Sequence, residues 1–244
     1  MSTDYKIETF IGSGAVYLSG FKIGNVTELS HTINKENKSV KARAGGGNYD
    51  SLTIITGVSL AMKVSDFNDA NLALALQALK VEHVGSVSTE QVVSAIDGGF
   101  VPLDFLVDHL ATATVATDEA TPVSLAPDTD YILTPSGIKF VAGGLGVTGT
   151  AIKVVYTSKA TTALEAYADS QKEGVLFVEG INDANGNPQN LTYHRFKGEP
   201  MASYAAFSDD FAELELNGEV LADTTRPPGV SQFLRMTKTP SVAA

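Results

Sequence analysis

The chain has 244 residues, of which 43% are hydrophobic and 18% are charged, and its formal net charge is -11. This composition excludes a wholly disordered chain, and the acidic balance opposes sequence-independent binding to nucleic acid because phosphates repel such a surface. The sequence contains no cysteine, which excludes disulfides, thiolate catalysis, zinc-thiolate sites and iron–sulfur clusters.

The first residues, MSTDYKIETFIGSG, lack the basic region and apolar core of a secretory signal. No apolar run approaches the roughly 20 residues of a membrane-spanning helix. We therefore expect a protein that is made and kept in the cytosol. The small share of charged residues indicates that other subunits cover part of its surface.

Residues 15–33, AVYLSGFKIGNVTELSHTI, mix short apolar runs with Gly20 and Gly24 and predict two strands separated by a turn. Residues 34–50 follow, where a basic cluster and three glycines replace the alternation. The glycines leave the backbone conformationally free, so we expect a mobile loop that contacts another subunit. Its candidate contact residues are Lys35, Lys38, Lys41, Arg43, Gly45, Gly46, Gly47, Asn48, Tyr49 and Asp50.

Residues 52–64, LTIITGVSLAMKV, return to strand chemistry and predict a half-buried strand. Its apolar residues of one parity are Leu52, Ile54, Val58, Leu60, Met62 and Val64.

A helix is predicted over residues 66–79, where Asp66 or Asn68 can cap the first turn. Leu72, Leu76 and Leu79 then recur at helical spacing on one face. The segment LALAL also alternates, so a strand is the alternative, but Ala, Leu and Gln favour the helix.

The turn signals in residues 85–158 are weaker, and their pattern predicts an inserted or peripheral β module. Within it, SVSTEQVVSAI is compatible with a short helix. The flanking residues, 1–84 and 159–244, then form one discontinuous domain. In its second half, GVLFVEGI and NLTYHRFKG predict a hairpin across Asn185 and Gly186. FAELELNGEVLAD predicts a strand with one apolar and one acidic face, and VSQFLRMT predicts a last strand.

Three short motifs resemble ligand sites, and each lacks a required part. GLGVTG at residues 144–149 has dinucleotide-loop spacing, but a strand-like segment follows where a helix is needed. Asp183, Asn185 and Asn187 match the start of a calcium loop, yet Pro188 replaces its turn glycine. The triple glycine lacks the Lys and Ser/Thr of a phosphate loop.

The titratable residues do not form a catalytic pattern in the sequence. His31, His83, His109 and His194 are scattered, and none of them pairs at the spacing of a helical zinc motif. Asp128-Thr-Asp130 can chelate a metal, but Pro127 and Tyr131 indicate a loop that enters a strand. We predict no enzyme, no cofactor and no metal.

The charge distribution is the main functional clue. Residues 81–138 and 198–225 contain no Lys or Arg but many carboxylates, whereas four basic residues crowd positions 35–43. A basic arm and an acidic remainder on one chain attract head to tail, and such contacts generate rings, stacked rings or filaments.

The sequence resembles the major tail tube proteins of long-tailed bacteriophages. The resemblance lies in the early strands with GNVTEL, in KSVKARAGGGNYDSLTIITGVSLAMKVSDFNDANLALAL, and in the later GVLFVEGINDANGNPQNLTYHRFKGEP and FAELELNGEVLAD. It covers about residues 15–80 and 130–236, as a pattern of strand, helix and loop order.

The resemblance implies a mainly β fold, namely a β-sandwich or partly open barrel with one flanking α-helix, a long inter-subunit loop at Lys38–Asp50 and a peripheral, outward-facing β insert. It implies self-assembly into stacked hexameric rings that form a tail tube, a conduit for DNA ejection. The expected partners are other copies and, by analogy, tail-tip or baseplate, length-determining and terminator proteins. The expected location is the virion tail, assembled in the host cytoplasm.

Two hypotheses about particular residues follow. Glu213 and Glu215 are expected to face the lumen, with Leu214 and Leu216 in the core, so that DNA passes without specific binding. The basic residues at 35–43 are expected to dock on acidic segments of a neighbouring ring; the alternative is a solvated loop.

A carbohydrate-binding β-sandwich of an adhesin is the alternative function, although the chain lacks Trp and its eight Tyr are dispersed. An enzyme of unfamiliar geometry is a third.

Overall fold

The structure is a computed structural model that describes residues 10, 12–41, 43, 47–169 and 172–239. It divides the chain into two compact units: Met1–Leu79 with Leu164–Ala244, and Lys80–Ala163. The module predicted at residues 85–158 falls inside the second unit. The described elements are β1 Gly12–Leu18, β2 Phe21–Lys22, β3 Val26–Lys41, β4 Asn48–Val64, α1 Asp69–Ala75, β5 Leu79–His83, β6 Thr89–Ser94, β7 Phe100–Pro102, β8 Thr114–Thr117, β9 Tyr131–Thr134, β10 Gly137–Phe140, β11 Ala151–Tyr156, β12 Thr161–Glu165, β13 Glu173–Asn182, β14 Asn187–Glu199, β15 Leu214–Val220 and β16 Leu234–Lys238.

The first unit is built on an eight-stranded antiparallel sheet, in which seven strands follow the order β2-β1-β13-β14-β15-β4-β3 and the eighth, β16, pairs with β14. β14 joins its two halves, because Gln189–Tyr193 pair with β16 whereas Phe196–Glu199 pair with β15. The described strands do not close into a barrel. The predicted fold class, mainly β and sandwich-like with one flanking helix, is confirmed.

The core of this unit lies between the two halves of the sheet. The complete burial of one valine, leucine or methionine side chain stabilises a fold by about 1.5–3 kcal/mol. Tyr193 is also buried here, its hydroxyl lies 3.0 Å from Nδ1 of His31, and burial raises its pKa to about 12. The two halves contribute, among others, Val16, Leu176 and Tyr193 on one side and Leu60, Met62, Val64, Leu214 and Leu216 on the other.

The predicted helix is present but shorter than expected. It begins after Asn68, whose side-chain oxygen accepts a hydrogen bond from the backbone N–H of Asn71 at 2.8 Å. It ends at Ala75, because Gln77 adopts a positive φ of 45° and the chain turns into β5, which contains Leu79. Nζ of Lys172 donates to the carbonyl oxygens of Ala73 and Ala78 at this C-terminal end, where a cation is favourable.

The predicted hairpin of β13 and β14 is confirmed. Its turn closes through N–H groups of Asn185 and Gly186 that donate to the carbonyl of Asn182. Gly186 has a φ of +70°, a conformation in which glycine is the least strained residue.

The second unit contains two three-stranded antiparallel sheets, β7-β10-β9 and β6-β11-β8. A separate core includes Ile138, Phe140, Ile152, Val154 and Tyr156. The short helix considered for SVSTEQVVSAI is wrong: those residues include β6, which pairs along its whole length with β11. Separately, β5 and β12 form a two-stranded sheet. No described helix is long and apolar enough to cross a membrane.

Candidate functional site

The longest hairpin of the chain is formed by β3 and β4, with 16 and 17 residues. The two strands pair from Val26 and Val64 to Lys41 and Asn48, with irregularities after Val26, Asn34 and Val40. The mobile loop predicted over residues 34–50 is therefore wrong for 34–41 and 48–50, whose polar residues complete a ladder of backbone hydrogen bonds. Lys35, Lys38 and Lys41 lie in β3, and Asn48, Tyr49 and Asp50 lie in β4.

The remaining predicted loop residues lie at the tip of the hairpin or outside the described chain. Arg43 is exposed, and Gly47 has a φ of +102°. Gly45 and Gly46 fall outside the described residues.

The base of the hairpin, which consists of residues 26–33 of β3 and 58–64 of β4, has one apolar and one polar face. Val58, Leu60, Met62 and Val64 are buried, and they pair with Val220, Gly218, Leu216 and Leu214 of β15 on one side. The alternation predicted for β4 holds over this part of the strand.

The pairing changes beyond Val58, where β15 ends and a bulge interrupts β4. Asn34 pairs with Gly57 and Lys35 pairs with Ile55, which leaves Thr56 without a partner. An extra residue on one strand reverses the alternation beyond it. Leu52 and Ile54, predicted to share a face with Val58, therefore continue the polar face of the base. Leu52 is 61% exposed and Ile54 is 37% exposed.

We call the described residues of 34–41, 43 and 47–57 the arm. Lys38 lies opposite Leu52 and Glu36 lies opposite Ile54, so these residues share one face. Lys35 lies opposite Ile55 on the other face, and the alternation places Lys41 there too. The basic residues thus do not form a single patch: they line both faces of a two-stranded ribbon that also exposes apolar side chains.

The polar face of the base carries cross-strand rows of short polar side chains and carboxylates. The pairing aligns three rows: Glu199, Asn217, Ala61 and Ser30; Lys197, Glu219, Ser59 and Thr32; and Glu215, Lys63 and Glu28. Nζ of Lys63 lies 3.0 Å from Oε2 of Glu28, and this hydrogen bond raises the pKa of Lys63. These rows hold four carboxylates and two lysines, so this face has an acidic balance.

The strand that carries the predicted acidic pair alternates as expected. Leu214 and Leu216 are buried, and Glu215 is exposed on the polar face. Glu213 precedes the strand, and its Oε1 accepts a hydrogen bond from the Thr27 hydroxyl at 2.8 Å. Whether this face lines a lumen stays a prediction.

A second exposed surface lies in the connection between β14 and β15, which we call the aromatic loop, residues 202–213. Phe207 and Phe211 are 97% and 98% exposed, and Tyr204 is half exposed. Asp209 and Asp210 lie between the two phenylalanines. The Ser208 hydroxyl donates to the Asp210 carbonyl at 2.7 Å and accepts from the Asp210 N–H, so the loop turns locally and has no regular secondary structure.

An apolar groove of about 470 Å³ opens between the edges of β1 and β3. Val16, Leu29, Val178, Leu191 and Met236 contribute to its lining. Its volume falls in the range of about 300–1,000 Å³ that is usual for small-ligand pockets.

Comparison with protein families gives one match. The family described as "Protein of unknown function UCP028589" matches residues 9–237. The chain belongs to this family. The matched range runs through both units, so the family includes the second unit as well as the first. Among curated proteins, none matches the chain.

The motifs that resemble ligand sites have structural roles in this family member. β11 follows the glycines at 144–149, as predicted, and the calcium-like sequence at Asp183 forms the β13–β14 turn. The Asp130 carboxylate accepts hydrogen bonds from the N–H groups of Ala126 and Leu145, which lower its pKa and fix the loop around it. In the described part of the chain, no group of three or more His, Asp or Glu side chains is placed to hold a metal.

His83 and His194 are also held by neighbouring side chains. His83 stacks on Phe105 with ring centroids 3.7 Å apart, and its Nε2 lies 3.0 Å from the buried Ser158 hydroxyl. Nδ1 of His194 lies 3.0 Å from Nη1 of Arg226. Burial and the charge of Arg226 lower the pKa of His194, so the neutral imidazole is favoured there.

Sequence reasoning missed the aromatic loop. Its signal is present in the sequence as three aromatic residues within eight positions, interrupted by Asp209 and Asp210 and without any Lys or Arg. Sequence alone gave no reason to expect all three rings in solvent, because aromatic side chains are usually buried.

Proposed function

We propose that this protein is a structural virion protein of a long-tailed bacteriophage, which self-assembles into stacked hexameric rings that form the tail tube. The tube is a conduit for DNA ejection. The proposed partners are other copies of the chain and, at the ends of the tube, tail-tip or baseplate, length-determining and terminator proteins. The proposed location is the virion tail.

The observation that carries this proposal is the arm. The eight residues Asn34–Lys41 extend β3 by roughly 26 Å beyond the base, at about 3.3 Å per residue. Two-stranded ribbons are marginally stable by themselves, and exposed apolar side chains on such a ribbon are typical of a segment that packs on another chain. An isolated copy offers no surface on which these exposed side chains of the ribbon can be buried.

The polar face of the base supports the conduit. Its rows contain short polar side chains and an excess of carboxylates, with no aromatic side chain on which a base can stack. A DNA conduit must repel phosphates rather than bind them, and an excess of carboxylates repels phosphates. If the face lines the lumen, Glu215 and Glu219 point toward the DNA.

Electron microscopy of the concentrated protein tests the proposal. We expect rings with six-fold symmetry and tubes with a central channel, and a reconstruction that places Glu213 and Glu215 on the channel wall. Monodisperse particles of one chain at every concentration would contradict the proposal, and so would tubes with both glutamates on the outer surface.

One observation favours the second candidate, a carbohydrate-binding β-sandwich of an adhesin. Clustered exposed aromatic rings are the mark of such a site, and the aromatic loop has them. The loop lacks a helix or strand that would hold three rings as a fixed platform, and sites on rigid elements are more precise. Glycan-array binding by the wild type that is lost in a Phe207→Ala/Phe211→Ala variant, without any ring formation, would favour the adhesin.

A further inference from the structure

We propose that the aromatic loop of one copy is the surface that receives the arm of a second copy, in a head-to-tail contact. This inference rests on the proposed function, since it names the partner surface for the same assembly. Three features of the chain point to this contact: the position of the two segments on the sheet, the chemistry of the loop and the chemistry of the arm.

The two segments lie at opposite ends of the same strands. β4 and β15 pair antiparallel from Val58 with Val220 to Val64 with Leu214. The arm continues β4 beyond the Val58 end, whereas the aromatic loop enters β15 at the Val64 end. The six steps from Leu214 to Val220 along β15 separate these ends by roughly 20 Å, at about 3.3 Å per residue. The arm of a chain therefore projects away from its own aromatic loop.

This placement suits a contact that repeats. A contact between two different surfaces is heterologous, and it leaves each bound copy with one free arm and one free loop. A second copy then adds in the same direction, so the contact extends a stack rather than closing a dimer.

The aromatic loop has the features of a binding surface with anchors. All ten residues from Ala202 to Phe211 are exposed, and two of them are phenylalanines almost wholly in solvent. Large exposed aromatic rings are enriched among the residues that dominate binding energy once they are buried. Asp209, Asp210 and Glu213 make the loop acidic, and the sequence has no Lys or Arg between Gly198 and Thr225.

The arm offers the complementary chemistry. Its cations are Lys35, Lys38, Lys41 and Arg43, all exposed. Its exposed apolar side chains include Leu52, Ile54 and Ile55. Lysine and arginine attract both carboxylates and the faces of aromatic rings, while the aliphatic side chains pack on the rings. Because cations lie on both faces of the ribbon, the loop can contact either face.

The first test removes the aromatic anchors. In Phe207→Ala/Phe211→Ala, we expect the concentration at which tubes form, measured by light scattering, to rise at least about tenfold. The rings are exposed, so the thermal unfolding of the free subunit should not change. The matched control is Val87→Ala/Leu110→Ala, which removes two exposed apolar side chains of the second unit, and it should assemble like the wild type.

The second test exchanges the charges. Asp209→Lys/Asp210→Lys and Lys35→Glu/Lys38→Glu should each suppress tube formation, and a chain that carries all four changes should recover it. Recovery of tube formation identifies the two segments as partners, because two unrelated assembly defects would add and reduce tube formation further. A four-change variant that assembles no better than either double variant would overturn the inference.

The third test traps the contact and uses the absence of native cysteines. Leu52→Cys protein is mixed with Phe207→Cys protein, assembled and oxidised, and a disulfide-linked dimer is expected on a non-reducing gel. Leu52→Cys mixed with Val92→Cys, an exposed position of the second unit, should remain unlinked. Equal linkage in both mixtures would overturn the inference.

The outcomes separate the two proposals. The arm–loop contact is refuted if Phe207→Ala/Phe211→Ala forms tubes like the wild type and the cysteines at positions 52 and 207 do not link. That result does not contradict the tail tube. A wild-type protein that never forms rings or tubes refutes the tail tube, and the arm–loop contact with it.

Discussion

The base and the arm of the β3–β4 hairpin are two regions of the same pair of strands with opposite surroundings. Val58, Leu60, Met62 and Val64 in the base are buried under the other half of the sheet, whereas Leu52 and Ile54 in the arm are in solvent. Both regions of β4 contain large aliphatic side chains. The difference arises because β15 ends opposite Val58, so burial is decided by the neighbouring strand and not by strand propensity.

The largest effect is expected from truncating the base. Leu60 is 2% exposed, so Leu60→Ala should lower the free energy of unfolding by about 2–5 kcal/mol, through lost burial and the cavity that remains. Leu52→Ala should change it by less than about 0.5 kcal/mol. Urea unfolding followed by circular dichroism measures both. Similar losses in the two variants would mean that the arm is packed in the free subunit, against this account.

A pair of glycines on opposite sides of the boundary gives the next effect. A Cβ on Gly218 would lie 2.4 Å from the Lys197 carbonyl oxygen and 2.5 Å from the Phe196 ring, so Gly218→Ala should cost about 1–3 kcal/mol. A Cβ on Gly57, where the arm begins, would meet only the flexible ends of Glu219 and Asn34. Gly57→Ala should therefore be tolerated, and an equal loss in thermal stability would show that the boundary is misplaced.

The hydrogen-bonded cluster at His194 predicts a pH effect on the sheet that leaves the arm unaffected. The pKa of His194 in the folded chain is below its ordinary value near 6.5, so the unfolded chain takes up this proton first as the pH falls. Stability from this group is therefore present above pH 6.5 and decreases below it. His194→Gln should reduce the loss of thermal stability between pH 7.5 and 5.5; an unchanged pH profile would refute the role of His194.

The smallest effect on the fold is expected from the charges of the arm. Lys38 Nζ is 3.9 Å from Oε1 of Glu36, and both side chains are largely exposed, so Lys38→Glu should change the unfolding free energy by less than about 1 kcal/mol. Assembly should nevertheless weaken, and added salt should weaken wild-type assembly, because screening acts on exposed charges. Tube formation that is independent of salt would contradict an electrostatic role for the arm.

The sequence predicted the parts of the fold that local pattern controls. The alternation of Leu214, Glu215 and Leu216 gave the two faces of β15, and Asn68 was one of two predicted caps of α1. The helix ends early because of Gln77, whose positive φ no propensity scale indicates.

The candidate site was predicted only in part. The loop predicted for Lys35, Lys38 and Lys41 is wrong, since Lys and Asn have weak strand propensity and pair here only because β4 lies beside them. The reversal of Leu52 and Ile54 depends on one unpaired residue, Thr56. The isolated Gly57 beside it is compatible with a bulge but does not specify which residue is left unpaired. The exposure of Phe207 depends on what lies over the loop, which is a property of the folded chain.

If copies assemble through the arm, its exposed side chains are buried only in the assembled protein, and hydrogen–deuterium exchange measures this directly. We predict that amides of residues 48–57 exchange rapidly in the free subunit and become protected in the assembled protein, while those of 58–64 are protected in both. Arm amides that exchange at the same rate before and after assembly would contradict the account.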